Sequence, residues 1–138
     1  MKKLIFFLYP FFLYANYSDS GPHEVVISVD NFILSSGQSI EYTFYTPADI
    51  NHSTQVTLVH AFSRNMDSYY ELAEHYASWG LGVITMNLFY SSIFDNDPFQ
   101  DAIDLREISD YFSDGRSVIY VGHSAGAMRA IVAATEDT

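Results

Sequence analysis

The apolar residues of this chain fall into short runs of differing period. Glu24 to Val29 (EVVISV) is rich in β-branched residues, and Ser39 to Thr46 (SIEYTFYT) alternates strictly. In the second run Ile40, Tyr42 and Phe44 share one face, while Glu41, Thr43 and Tyr45 share the other. A period of two is that of a half-buried strand. Gly37 precedes this run and Pro47 ends it, so the two runs predict an antiparallel edge.

Further on the pattern changes. Val56 to His60 (VTLVH), Gly82 to Leu88 (GVITMNL) and Ser117 to Val121 (SVIYV) are nearly continuous apolar runs. Strands of that kind belong to parallel sheets with both faces covered. Helical spacing fills the gaps between them. Tyr69, Leu72, Ala73, Tyr76 and Ala77 form one stripe, with Gly80 as its stop. Phe99, Ala102, Ile103, Ile108, Tyr111 and Phe112 form a second, opened by Asp97-Pro98 and followed by Gly115. The alanine-rich AGAMRAIVAA, from Ala125 onward, predicts a third helix. Two edge strands followed by strand, helix, strand, helix, strand and helix imply right-handed crossovers and a three-layer α/β architecture.

Composition narrows what such a fold does. With 49% hydrophobic residues the chain can build a core. Its 17 acidic and 6 basic residues give a formal charge of −11, which excludes nucleic acid as a partner because nothing neutralises a run of phosphates. The same charge repels anionic substrates. There are no cysteines, so disulfides, thiolate catalysis and cysteine zinc sites are excluded. His23, His52, His60 and His75 show no H-x-x-x-H spacing, and no metal is expected.

Both lysines, Lys2 and Lys3, precede the apolar run Leu4 to Tyr14, and small residues follow at Ala15, Ser18 and Ser20. This pattern predicts a secretory signal peptide over residues 1–15, cut between 15 and 20. The run is short of the ~20 apolar residues that span a bilayer. The expected product is secreted or periplasmic, with no stable membrane anchor once the leader is removed. Asn16 (NYS) and Asn51 (NHS) match the glycosylation sequon, which matters only in a eukaryotic secretory pathway.

The chemistry-bearing stretch is GHSAG, Gly122 to Gly126. G-x-S-x-G is a short motif, but here it follows a buried strand directly and opens a helix, the setting of a nucleophile elbow. Such a turn presents Ser124 above the sheet in a strained conformation. Side chains at Gly122 and Gly126 would collide across it. The competing reading is a serine that only caps the helix, which leaves both glycines and the flanking pattern as coincidences. His123 is adjacent in sequence and is expected to point away, as a packing residue of the elbow. An elbow draws its oxyanion donors from the N–H after the nucleophile, here Ala125, and from the loop after the third strand. That loop is HAFSRN, His60 to Asn65, where Phe62 is the natural donor and His60 fixes the strand end.

The stretches TLVHAFSRNMDSYYELAEHYASWGLGVITMNL and VIYVGHSAGA resemble the N-terminal half of an α/β-hydrolase. Within that superfamily they are most similar to dienelactone-hydrolase-like, chlorophyllase-like and polyester-hydrolase (cutinase-like) proteins. The resemblance covers roughly all of residues 21–138. It implies an α/β-hydrolase sandwich, mostly parallel with an antiparallel N-terminal edge, truncated after the elbow helix. It also implies a serine esterase, acting through an acyl-enzyme at Ser124 on a small-molecule or polymeric ester, with oxyanion donors at Phe62 and Ala125 and no cofactor.

Three positions depart from the family pattern. Ala61 stands where glycine is usual, Ala127 replaces a common second glycine, and Asn87 stands where aspartate is frequent. A larger departure concerns the triad order Ser, Asp or Glu, His. After Ser124 only Glu136 and Asp137 are acidic, and no histidine follows. The expectation is therefore a hydrolase fragment lacking the triad acid and histidine. The alternative is a non-catalytic binding protein on a shortened α/β-hydrolase fold.

Overall fold

The computed structural model describes residues 18–90, 92, 94 and 96–135. The expected leader, the Asn16 sequon, and Glu136 and Asp137 lie outside the described residues.

Five strands form one mixed sheet. They are β1 (Val25–Ile33), β2 (Ser39–Pro47), β3 (Thr54–Val59), β4 (Gly82–Met86) and β5 (Ser117–Gly122), in the spatial order β1-β2-β4-β3-β5. β1 pairs antiparallel with β2, and β2 antiparallel with β4. β3 pairs parallel with both β4 and β5. The expected antiparallel edge is thus present. β1 runs four residues beyond the predicted Val29, because Asp30 and Asn31 are accommodated on an exposed edge strand where polar side chains carry no desolvation cost. The hairpin closes at Leu34–Gly37, where Gly37 donates to the Leu34 carbonyl at 2.8 Å with φ of 84°.

The helices are α1 (Tyr70–Ser78), preceded by a 3-10 turn at Met66–Tyr69, α2 (Pro98–Ser113) and α3 (Ala125–Thr135). α1 covers one face of the sheet, over Tyr45, Val56, Leu58 and Val83. α2 and α3 lie on the other, over Ile40, Val59, Ile84 and Met86. These are the three expected layers. β2 is not half-buried as its alternation suggests. α1 packs over Tyr45 and Met66 of the 3-10 turn meets Thr43, so both faces of the strand are covered and Tyr45 is buried.

α2 starts where the sequence indicates. The Asp97 carboxylate accepts from the N–H of Phe99 and of Gln100, both at 3.1 Å, and Pro98 takes the first helical position. Its buried face, however, differs from the predicted stripe. Asp101, Ala102, Asp104, Leu105, Ile108 and Ser109 point inward, while Phe99, Ile103 and Tyr111 are exposed. Most of the inward polar groups have partners, although Asp104 Oδ2 has none among the described residues. Ser109 Oγ bonds Thr57 Oγ1 at 2.9 Å, and Asp101 pairs with Arg129. Mutual hydrogen bonding removes most of the penalty for burying them.

Candidate functional site

The chain passes from β3 to β4 on one side and, after α2, to β5 on the other side of β3. Such a reversal marks the carboxyl ends of the strands as the usual ligand position in open α/β sheets. Both segments singled out in the sequence converge there. The loop from His60 leaves the end of β3, and Ser124 leaves the end of its neighbour β5, whose Gly122 registers against Val59.

Ser124 lies between β5 and the first residue of α3, with φ of 55°. That is the left-handed region, which L-residues with a Cβ adopt only under constraint. The constraint is visible on both sides. A Cβ on Gly122 would overlap the Gly126 carbonyl, and a Cβ on Gly126 would overlap the Val59 and His60 carbonyls. The strand, the turn and the helix are therefore in contact through backbone atoms alone. Gly126 donates to the His123 carbonyl at 2.9 Å and Ala127 to the Ser124 carbonyl at 3.0 Å, closing the turn into the helix.

The loop after β3 is a second strained turn. Arg64 N–H donates to the Ala61 carbonyl at 3.1 Å, and Ser63 has φ of 54°. A turn with a left-handed third residue normally places glycine or asparagine there. His60 is buried and anchors the loop. Its Nδ1–H donates to the Ala61 carbonyl at 2.9 Å, and its Nε2 accepts from Leu88 N–H at 3.2 Å. These bonds fix one neutral tautomer, and burial lowers the imidazole pKa below its ordinary 6.5. Asn87, at the end of β4, holds the same loop from outside. Its Oδ1 accepts from Met66 N–H at 2.9 Å, and its Nδ2 donates to Glu41 at 2.8 Å. Among the described residues, no partner occupies the N–H of Phe62 or of Ala125. Gly126 seats α3 against the start of this loop, so the two N–H groups belong to adjoining backbone segments.

Ser124 itself is exposed rather than sunk in a cleft. Of cavities of about 400, 500 and 310 Å³, none is lined by Ser124, although the last reaches Gly122 and Ala127. The histidines are dispersed. His60 has both ring nitrogens bonded, His23 is bound to Asp49 at 2.7 Å on the far side of the sheet, and His123 is exposed beside the serine in the chain. His52 packs against Phe44, and His75 lies on α1. No group of three or more metal-ligating side chains is assembled among the described residues. Phe89 packs against the core, and Phe62 and Arg64 are exposed on the loop.

One residue at this site carries no signal in the sequence. Arg129, in the second turn of α3, is fully buried. Its Nε donates to Asp101 Oδ2 at 2.6 Å and its Nη1 to the Ala125 carbonyl at 3.1 Å. Its Nη2 donates to the Tyr90 carbonyl and to Asn96 Oδ1, both at 3.0 Å. Asp101 Oδ1 in turn accepts from Tyr90 N–H at 3.0 Å. Burial raises the Asp101 carboxyl pKa, and the guanidinium opposes that shift. Asp101 lies within the predicted second helix and Arg129 within the third. Only a pairing of the two at buried positions distinguishes them from surface charges, and spacing along the chain does not reveal it.

No family model matches the chain. No curated protein matches it either. Solved structures do. A dienelactone hydrolase from Anabaena variabilis superposes with a TM-score of 0.70 at 18% identity, over 83% of this chain and 59% of that one. A cold-adapted esterase from an Arctic intertidal metagenomic library gives 0.66 at 14%, over 82% and 56%. Brefeldin A esterase, described as a bacterial homologue of human hormone-sensitive lipase, gives 0.64 at 17%, over 79% and 34%. The chain thus spans between about a third and three fifths of the length of these structures. At such identities the likeness is one of fold, the α/β-hydrolase fold.

Proposed function

We propose, on the premise of that α/β-hydrolase fold, that this chain is the nucleophile-bearing part of a serine hydrolase acting on carboxylic esters. One observation carries the reading. Ser124 holds a left-handed backbone conformation at a strand-to-helix turn, between two glycines where any Cβ would overlap neighbouring backbone atoms. A serine that merely caps a helix needs neither feature. The structural neighbours, two esterases and a dienelactone hydrolase, support the same chemistry.

In this reading Ser124 Oγ attacks the ester carbonyl. The oxyanion of the tetrahedral intermediate accepts from the N–H groups of Phe62 and Ala125. The alcohol leaves an acyl-enzyme, which water resolves. Preorganised donors of this kind contribute about 3–4 kcal/mol to the transition state. The N-terminus of α3 adds a favourable field for the developing negative charge. The Ser124 proton requires a base, and among the described residues no histidine contacts Ser124. We further propose export directed by the N-terminal leader, tested by N-terminal sequencing of the exported product; retained Met1 on a membrane-bound product contradicts it.

The absence of a base beside Ser124 favours, as a second reading, a binding protein on the same scaffold. The coding sequence downstream of Thr138 separates the two: an in-frame histidine is expected for the enzyme. The nucleophile itself is tested with an aryl fluorophosphonate. Covalent mass added at Ser124 and absent in Ser124→Ala supports the proposal. A folded chain that labels equally in both forms contradicts it.

A further inference from the structure

We infer that Arg129 is a positioning residue for Ser124, locking the elbow and the β4–α2 loop into one unit; this rests on the proposed nucleophile. The guanidinium spans three segments. Nη1 reaches the carbonyl of Ala125, the residue immediately after Ser124. Nη2 bridges the backbone of Tyr90 and the side chain of Asn96, one at each end of the loop between β4 and α2. Nε is fixed by Asp101, which also binds Tyr90 N–H. Four N–H groups are thereby used in different directions from one buried planar group.

Two features separate this from an ordinary buried ion pair. A charge pair alone needs one contact to Asp101, which a lysine supplies as well. Only a rigid fork joins the helix, the loop and the carboxylate at once. The loop also leaves β4 at the same end of the sheet as the elbow, and its Tyr90 and Asn96 are tied through Arg129 to the helix that begins after Ser124. Its position relative to the serine is set through Arg129 rather than by contact with Ser124.

The test uses the whole chain with Arg129→Lys, Arg129→Met and Asn96→Ala. Three quantities are measured: the urea midpoint, amide exchange along the chain, and the rate of Ser124 phosphonylation with imidazole supplied as base. Arg129→Lys is expected to recover stability relative to Arg129→Met, because it restores the charge opposite Asp101. It is not expected to recover the labelling rate, which falls ~10-fold or more on misplacement. Exchange should rise at Ala125–Ala127 and at Phe89–Tyr90 while the β1–β2 hairpin stays protected. Asn96→Ala, at an exposed position, should loosen the loop with little loss of stability. An Arg129→Lys chain with wild-type labelling and wild-type exchange at these positions overturns the inference. So does a labelling loss that merely follows opening of the hairpin. If the wild-type chain is not labelled at Ser124 at all, the nucleophile proposal fails, and local exchange still decides whether Arg129 locks the loop.

Discussion

At Ser124 the backbone conformation and the side-chain chemistry pull in opposite directions. A residue with a Cβ at φ of 55° is disfavoured by roughly 1–2 kcal/mol, and glycine is not. Ser124→Gly should therefore be more stable than Ser124→Ala by about 1 kcal/mol in urea unfolding, the reverse of the order expected inside a helix. Equal stabilities would mean that the turn is unstrained. Gly126→Ala should act the other way. Its Cβ meets the Val59 and His60 carbonyls, which are backbone and yield little, so a loss of ~1–3 kcal/mol is expected. His60 provides a pH signature at the same site. Its pKa is lowered by burial, so between that value and 6.5 the unfolded chain binds more protons than the folded one. The stability contributed by neutral His60 is complete above about pH 6.5 and is lost as pH falls toward the folded value. In an NMR titration the His60 ring should titrate below 6.5, and a midpoint above 6.5 contradicts the buried neutral tautomer. The strand-to-helix turn was legible in the sequence because Gly122 and Gly126 are forced by sterics at fixed offsets. Arg129 was not, since its role depends on a partner 28 residues away.

Among the elements, legibility followed what each is held by. The three parallel strands could be located from their apolar runs, because burial on both faces leaves little choice of residue. The start of α2 was equally plain, as Asp97 and Pro98 act locally. Asp97→Ala should cost ~1 kcal/mol through loss of the bonds to Phe99 and Gln100, measurable as a lower urea midpoint. The rotation of α2 was hidden. Its apolar stripe pointed to Phe99, Ile103 and Tyr111, yet the helix turns Asp101 and Ser109 inward to meet Arg129 and Thr57. Specific polar partners, invisible to periodicity, decided the buried face. β2 misled for a related reason. Alternation encodes one wet face, but Tyr45 is covered by a helix that follows a later strand, and Thr43 by the 3-10 turn before that helix.

At the scale of the whole molecule, the sheet formed by the described residues has two open edges. β5 exposes Ile119, and α3 beside it exposes Met128 and Ile131. An unpaired apolar edge invites pairing with another chain. The 138-residue chain is therefore expected to self-associate in a concentration-dependent manner by light scattering, and Ile119→Lys is expected to reduce this. The net charge of −11 favours neutral over anionic esters at the same site. The central proposal is that Ser124 is a nucleophile with oxyanion donors at Phe62 and Ala125, while among the described residues no base stands beside it. Losing a base from such a unit costs on the order of 10⁶-fold in turnover. Exogenous imidazole substitutes for the missing group, so the most direct measurement is hydrolysis of a short-chain aryl ester by the chain and by Ser124→Ala across an imidazole series. The account predicts slow turnover without imidazole, and an imidazole-dependent rate in the parent chain above that of Ser124→Ala. Identical rates in the two proteins at every imidazole concentration, with both folded, would contradict it.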